Sequence, residues 1–196
     1  VAATNRILPD TRDVPFEIAA GAQQSLVLEF DPSAPIASTD VLLSFDCGNT
    51  LPAPIVPGLN TIRLAASVDA VADVLAISAS FIPGVVLASP DAAGVFAVSA
   101  INIGAGETLT ANVEASTDMA IETLGICESS PATGACLMPL RHEAVLGNGV
   151  IRTYTVHVHP SAVLPFDPAR GRLNVIFRNS AGEIRGSTGV AVATTL

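Results

Sequence analysis

The chain has 196 residues, which is enough for one large or two small domains. Its formal net charge of -9 and its isoelectric point of about 4.5 argue against nucleic-acid or anionic-lipid partners. The longest apolar stretch, residues 75–88, is interrupted by Pro83 and Gly84 and is too short for membrane insertion.

The distribution of turn residues predicts an all-β fold. The chain has 15 Gly and 14 Pro, which separate many short apolar runs, and no stretch keeps helical apolar periodicity over several turns. Such spacing indicates a sandwich or a barrel, and alternating core positions favour an immunoglobulin-like Greek-key β-sandwich. We predict one complete domain over residues 70–196, preceded by an incomplete one over residues 1–69.

The first part of the chain repeats the end of the second part. Aligned residues differ by 128 in the first and third matching segments and by 132 in the second. Three predicted strands agree in order and spacing, but the strands that open the second copy have no counterpart in the first. Half a sandwich does not bury its own core. The matching segments are residues 13–34 with 141–162, 40–47 with 172–179, and 58–65 with 186–193.

Two strands of the incomplete copy carry an apolar face, because alternate residues of a strand point to the same side. Left bare, each large side chain would lose roughly 1.5–3 kcal/mol relative to burial. We therefore expect strand complementation from outside residues 1–196, by upstream sequence, a neighbouring copy or a different subunit. The residues of this strand-complementation face are Leu26, Leu28, Phe30, Val41, Leu43 and Phe45.

The second copy contains about eight short strands separated by turn signals. In chain order, the predicted strands are residues 71–81, 94–103, 107–115, 120–127, 136–140, 150–158, 172–179 and 188–194.

Two cysteines bracket a loop of the second copy. Cys127 and Cys136 lie on either side of ESSPATGA, whose turn residues would bring the sulfurs within reach of one another. This favours a disulfide, with two free buried thiols as the alternative. A disulfide would imply an extracellular, cell-surface or periplasmic location. Cys47 is left unpaired in this chain, and its partner is expected upstream.

Two histidines lie two residues apart on a predicted strand, so that both imidazoles share one face. His157 and His159 align with Glu29 and Asp31 of the first copy, and the shared property is polarity. The pattern provides only two metal ligands, and His142 has no evident reason to join them. A polar face is therefore favoured over a metal site.

No motif of catalysis is present: there is no G-x-S-x-G, H-E-x-x-H or phosphate-binding loop. We predict that the chain is not an enzyme and has no catalytic, cofactor-binding or metal-binding residues. It also lacks Lys, which excludes covalent cross-linking through Lys–Asn isopeptide bonds.

The second copy, particularly CESSPATGACL and LPFDPARGRLNVIFRNSAGEIRGSTGVAVAT, resembles a β-sandwich module that occurs in tandem in bacterial secreted and surface proteins. The resemblance covers residues 71–196, with residues 13–66 as the tail of a preceding copy. It implies an extracellular, non-catalytic architectural module.

The expected function is that of a structural or adhesive module of a bacterial surface fibre or large surface protein. Its partners would be other copies of itself or a larger surface protein, bound by β-strand pairing. An accessory subunit of an envelope complex is an alternative, and a carbohydrate-binding or hydrolase domain is a weaker one, since the chain has no Trp and a single Tyr.

Overall fold

The computed structural model describes residues 15–141 and 143–196, without the side chain of Glu143. Within these residues the regular structure is β-strand, as predicted. No helix that could cross a bilayer is found among them. The chain divides into two units between Ser33 and Ala34. The domain boundary predicted between residues 69 and 70 stays a prediction.

Eleven strands are formed in the described part of the chain, and all of them lie in the second unit. They are β1 (Ile36–Leu42), β2 (Thr61–Ala66), β3 (Val74–Ala79), β4 (Val85–Leu87), β5 (Gly94–Asn102), β6 (Leu109–Ala115), β7 (Ile121–Glu128), β8 (Glu143–Leu146), β9 (Arg152–Pro160), β10 (Arg172–Arg178) and β11 (Ile184–Ala193).

The strands form one hairpin and two larger sheets. The hairpin consists of β1 and β2, which are antiparallel. The five-stranded sheet has the order β4-β11-β10-β6-β8, and the four-stranded sheet has the order β3-β5-β9-β7. Neighbouring strands are antiparallel except β4 and β11, which are parallel. We call the arrangement of β3 to β11 the sandwich.

Alternation along each strand decides which side chains are buried. In β5, Phe96, Val98 and Ala100 are buried, whereas Val95 and Ser99 are exposed. The buried side chains of both sheets form one hydrophobic cluster. The two sheets therefore pack as the layers of a sandwich-like structure, which buries one face of each sheet.

Most predicted strands of the second copy are formed, with two kinds of exception. The strand predicted over residues 136–140 is wrong: this segment is irregular apart from a single bridge between Ser129 and Cys136. Strands β4 and β8 were not predicted, because three and four residues are too few to show a clear alternation.

The prediction also fails for the strand expected to carry Leu26, Leu28 and Phe30. Residues 15–35 contain no strand. An apolar alternation favours a strand only where neighbouring strands supply backbone hydrogen bonds, and none pairs with this segment in the described residues.

The approach of β3 to β11 closes one corner of the sandwich. A Cβ atom added to Gly186 would lie 2.5 Å from the carbonyl oxygen of Val74, so only glycine fits there. Nearby, the Ser78 hydroxyl donates a hydrogen bond to the carbonyl of Gly189 at 3.3 Å. These contacts join the edge strand of one sheet to a strand of the other.

Tyr154 crosses the core from one sheet to the other. Its side chain is fully buried on β9, contacts the ring of Phe177 with a centroid separation of 6.2 Å, and donates a hydrogen bond to the carbonyl of Val145 on β8 at 2.9 Å. Burial raises the pKa of the Tyr154 phenol, the carboxylate of Glu128 raises it further, and Arg152 opposes the shift. The folded state therefore keeps the phenol protonated at pH values at which an exposed tyrosine ionises.

This gives a prediction for alkaline pH. Above the ordinary tyrosine pKa of about 10, the unfolded chain loses a proton that the folded chain keeps. The free energy of unfolding should therefore fall as the pH rises, by up to about 1.4 kcal/mol per pH unit from this group. Because the chain has a single Tyr, tyrosinate absorbance reports Tyr154 alone, and it should appear only as the far-ultraviolet circular dichroism is lost.

The control is Tyr154→Phe, which should lower the stability at neutral pH by about 1 kcal/mol and remove this part of the alkaline slope. Reversible formation of tyrosinate at the ordinary pKa, with the β-structure intact, would contradict the prediction.

Candidate functional site

The hairpin has the same register as the β10–β11 pair of the sandwich. The sequence repeat places Val41 on Leu173 and Ile62 on Val190. Val41 lies opposite Ile62 in the hairpin, and Leu173 lies opposite Val190 in the sandwich. Two segments with few identical residues thus form the same strand pair. The two segments therefore match in structure as well as in sequence.

The two pairs differ in what lies beside them. In the sandwich, β10 is also paired with β6, and β11 is also paired with β4. In the part of the chain that the structure describes, β1 and β2 pair only with each other. The hairpin therefore has an open edge on each side, where backbone groups are available to a further strand.

The apolar face predicted on these strands is only partly formed. Val41 lies in β1 and is half-buried, whereas Leu43 and Phe45 lie beyond the end of the strand. The aligned side chains of β10 are all fully buried, and the contrast is largest for the phenylalanines: Phe45 is 44% exposed and Phe177 is 0% exposed. The buried counterparts are Leu173, Val175 and Phe177.

The other three predicted residues lie in the first unit, within the irregular segment. Leu26, Leu28 and Phe30 are 51%, 48% and 41% exposed. Their aligned positions on β9 are completely buried, as the sequence predicted for that strand. These positions are Tyr154, Val156 and Val158.

Two residues of the same apolar face were missed at the level of the sequence. Ile62 and Leu64 lie on β2, are half-buried, and align with Val190 and Val192, which are fully buried. The sequence signal for them is the match of residues 58–65 with residues 186–193.

A polar pair spans the hairpin on its other side. Asp40 lies opposite Arg63, and their side chains form an ion pair at 3.2 Å that remains partly exposed to solvent. Such a pair contributes little to stability. At the position that aligns with Asp40, the sandwich has Arg172. This side chain is buried, donates a hydrogen bond to the carbonyl of Pro168 at 3.1 Å, and has a pKa lowered by burial.

Local hydrogen bonds shape the loop that closes the hairpin. The side chain of Asn60 accepts a hydrogen bond from the Val56 amide at 2.7 Å and donates one to the Pro54 carbonyl at 2.9 Å. The Gly58 amide donates to the Thr61 hydroxyl at 2.8 Å. The hairpin is thus defined by backbone pairing and turn chemistry.

The predicted disulfide is formed between Cys127 and Cys136, whose Cα atoms are 5.6 Å apart. The loop between them is anchored to the sheet, because the buried Thr155 hydroxyl donates a hydrogen bond to the carbonyl of Gly134 at 2.7 Å. Cys47 is a free and exposed thiol.

The two predicted polar histidines are half-buried on β9. His157 lies opposite Val95 on one side and Gly125 on the other, so neither neighbouring strand places a metal-ligating side chain directly opposite it. The Nδ1 atom of His159 lies 3.1 Å from a carboxylate oxygen of Glu122. His142 lies outside the described residues.

Among the described residues, no three or more His, Cys, Asp or Glu side chains are grouped so that they could hold a metal ion. The absence of enzymatic activity stays a prediction from the sequence. In comparisons with known proteins, no family model matches the chain and no match is found among curated proteins. The open β1–β2 hairpin is therefore the candidate functional site.

We predict that the disulfide stabilises the sandwich. Replacing both bonded cysteines, Cys127→Ser with Cys136→Ser, should lower the free energy of unfolding by roughly 2–3 kcal/mol, because the unfolded chain gains freedom. Chemical denaturation of the variant and the parent measures this difference. Mass spectrometry of an unreduced digest should show the bonded pair and an alkylated Cys47; a bond from Cys47 to either other cysteine would contradict the prediction.

We predict that the histidines are not required for folding or assembly. His157→Ala with His159→Ala should change the free energy of unfolding by less than about 0.5 kcal/mol per site, as for most partly exposed polar positions. Glu122→Ala is the matched control, since it removes the carboxylate that lies beside the Nδ1 atom of His159. A stoichiometric transition metal that is lost in the double variant would overturn the prediction.

Proposed function

We propose that the chain is a non-catalytic extracellular structural or adhesive module, a subunit or segment of a bacterial surface fibre or large surface protein. Assembly takes place by strand complementation at the open hairpin. The observation that carries this proposal is the repetition of the β10–β11 pair in the same register. Among the described residues, the repeated pair lacks the strands that flank β10 and β11 in the sandwich.

The energetic argument concerns both the edges and the face of the hairpin. An isolated pair of strands is marginal in water, and stability normally requires a third strand or a covering layer. The apolar positions of the hairpin align with positions that the sandwich buries completely. An added strand provides backbone hydrogen bonds and apolar side chains together, which is the chemistry of strand addition.

The immunoglobulin-like Greek-key assignment is part of this proposal. Supporting it, β5 pairs with β9 in one sheet while β6 pairs with β10 in the other. The chain thus passes between layers from β5 to β6 and again from β9 to β10. The parallel pairing of β4 with β11 at the sheet edge also fits a sandwich of this kind.

The extracellular location rests on the disulfide, since such bonds persist in oxidising compartments. Because the chain has no Lys, it cannot supply the amine of a Lys–Asn isopeptide bond between modules. A module that acts by presenting strands needs no catalytic residues.

Hydrogen exchange on the full chain, kept monomeric by dilution, tests the proposal. We expect fast exchange across residues 25–47 and slow exchange across the matching strands β9 and β10, which act as the control within the same molecule. Light scattering at rising concentration then identifies the donor. Oligomers indicate another copy, and a monomer throughout indicates a different protein or further sequence. Slow exchange across residues 25–47 in a proven monomer would overturn the proposal.

A matched pair of substitutions separates assembly from folding. Phe177→Ala should lower the free energy of unfolding by about 3–5 kcal/mol, because it opens a cavity in the core. Phe45→Ala should change the stability of the dilute chain by less than about 0.5 kcal/mol, yet should weaken complementation by about tenfold or more. Equal losses of stability in the two variants would show that Phe45 is already part of a closed core.

A further inference from the structure

We propose that the complementing strand binds antiparallel to β1, extends that strand through Asp46, and carries a basic side chain opposite Asp46. This inference rests on the proposed function and specifies its partner. The docking edge is that of β1, and the occupant is a strand with alternating apolar residues and a cationic end.

The edge and direction follow from the sandwich. There, β6 runs antiparallel to β10, with Ala115 opposite Leu173 and Thr110 opposite Arg178. The repeat transfers these two positions of β10 to Val41 and Asp46 of the hairpin. A strand in the position of β6 would therefore face residues 41–46. One step further along, the position of Leu109 would face Cys47.

This register requires a local change of structure. In the hairpin, β1 ends at Leu42, and residues 43–46 are irregular. The matching residues of β10 form a regular strand that is paired on both sides. Addition of the partner strand therefore extends β1 by four residues and carries Leu43 and Phe45 into the covered face.

The charge of the partner follows from a difference between the two copies. Arg178, on the outer face of β10, forms an ion pair with Glu114 of β6 at 3.0 Å. Asp46 stands at the matching position of the hairpin. An acidic strand like β6 suits an arginine and is disfavoured beside an aspartate, since like charges across strands repel. In the register of β6, Glu114 lies opposite Asn174 and Thr110 lies opposite Arg178. A basic residue at the Thr110 position of the partner strand would therefore lie directly opposite Asp46.

The thiol of Cys47 allows the register to be measured without altering the chain. The probe is a synthetic peptide of residues 107–116 with Leu109→Cys, which would place its thiol opposite Cys47. Residues paired across strands are within disulfide distance. Under mild oxidation, we expect this peptide to cross-link to the full chain about tenfold faster than a peptide with Ala115→Cys, because docking raises the effective concentration. Cys47→Ser abolishes the cross-link.

The charge requirement is tested in the same assay. Among peptides with Leu109→Cys, the one with Thr110→Arg should react about fivefold faster than the one with Thr110→Glu. Asp46→Asn in the chain should remove most of this preference, as should high salt. The cross-linked product should exchange amide hydrogens slowly over residues 43–46.

Equal rates for the two cysteine positions would overturn the proposed register, and equal rates for the two charges would overturn the basic partner. Both results are distinct from failure of strand complementation itself. That failure is shown by protection of residues 25–47 in the dilute monomer, without any peptide. If complementation occurs in a different register, residues 25–47 still exchange fast in the monomer, and the peptides cross-link at equal rates.

Discussion

The structure depends on the requirement that an apolar sheet face be covered by a second layer. In the sandwich, Tyr154 of one sheet and Phe177 of the other meet in the interior, and both are completely buried. The hydrogen bond from Tyr154 to the carbonyl of Val145 satisfies the one polar atom that this contact brings into the core. Most of the other buried side chains of the two sheets pack in the same hydrophobic cluster as this pair.

Comparison of the two copies shows which structure the local sequence forms without that second layer. Backbone pairing and turn chemistry are sufficient to form the β1–β2 hairpin in the register of β10–β11. They are not sufficient to extend β1 past Leu42 or to cover Phe45. The first copy therefore forms only the part of the strand pair that its own hydrogen bonds stabilise. Among the described residues no further strand flanks the hairpin, so β1 and β2 lack the neighbours that β10 and β11 have in the sandwich.

Specificity at such a surface comes from the side chains that line its edge. Backbone hydrogen bonds accept any strand, so apolar spacing and charge must select the partner. In a chain with a formal net charge of -9, association with acidic strands is opposed at long range as well as at Asp46. A basic strand would satisfy both conditions.

The sequence by itself determined the all-β class, the disulfide and the buried face of β9, since each follows from alternation or spacing along a short segment. Only the tertiary structure decided that β4 and β8 exist, since three or four residues become a strand only beside a partner. It also decided that Leu26, Leu28 and Phe30 lie in an irregular segment although their pattern matches that of β9. The physical reason is the same in both cases. A strand is stabilised by hydrogen bonds and side chains of its neighbours, and those neighbours are distant in sequence.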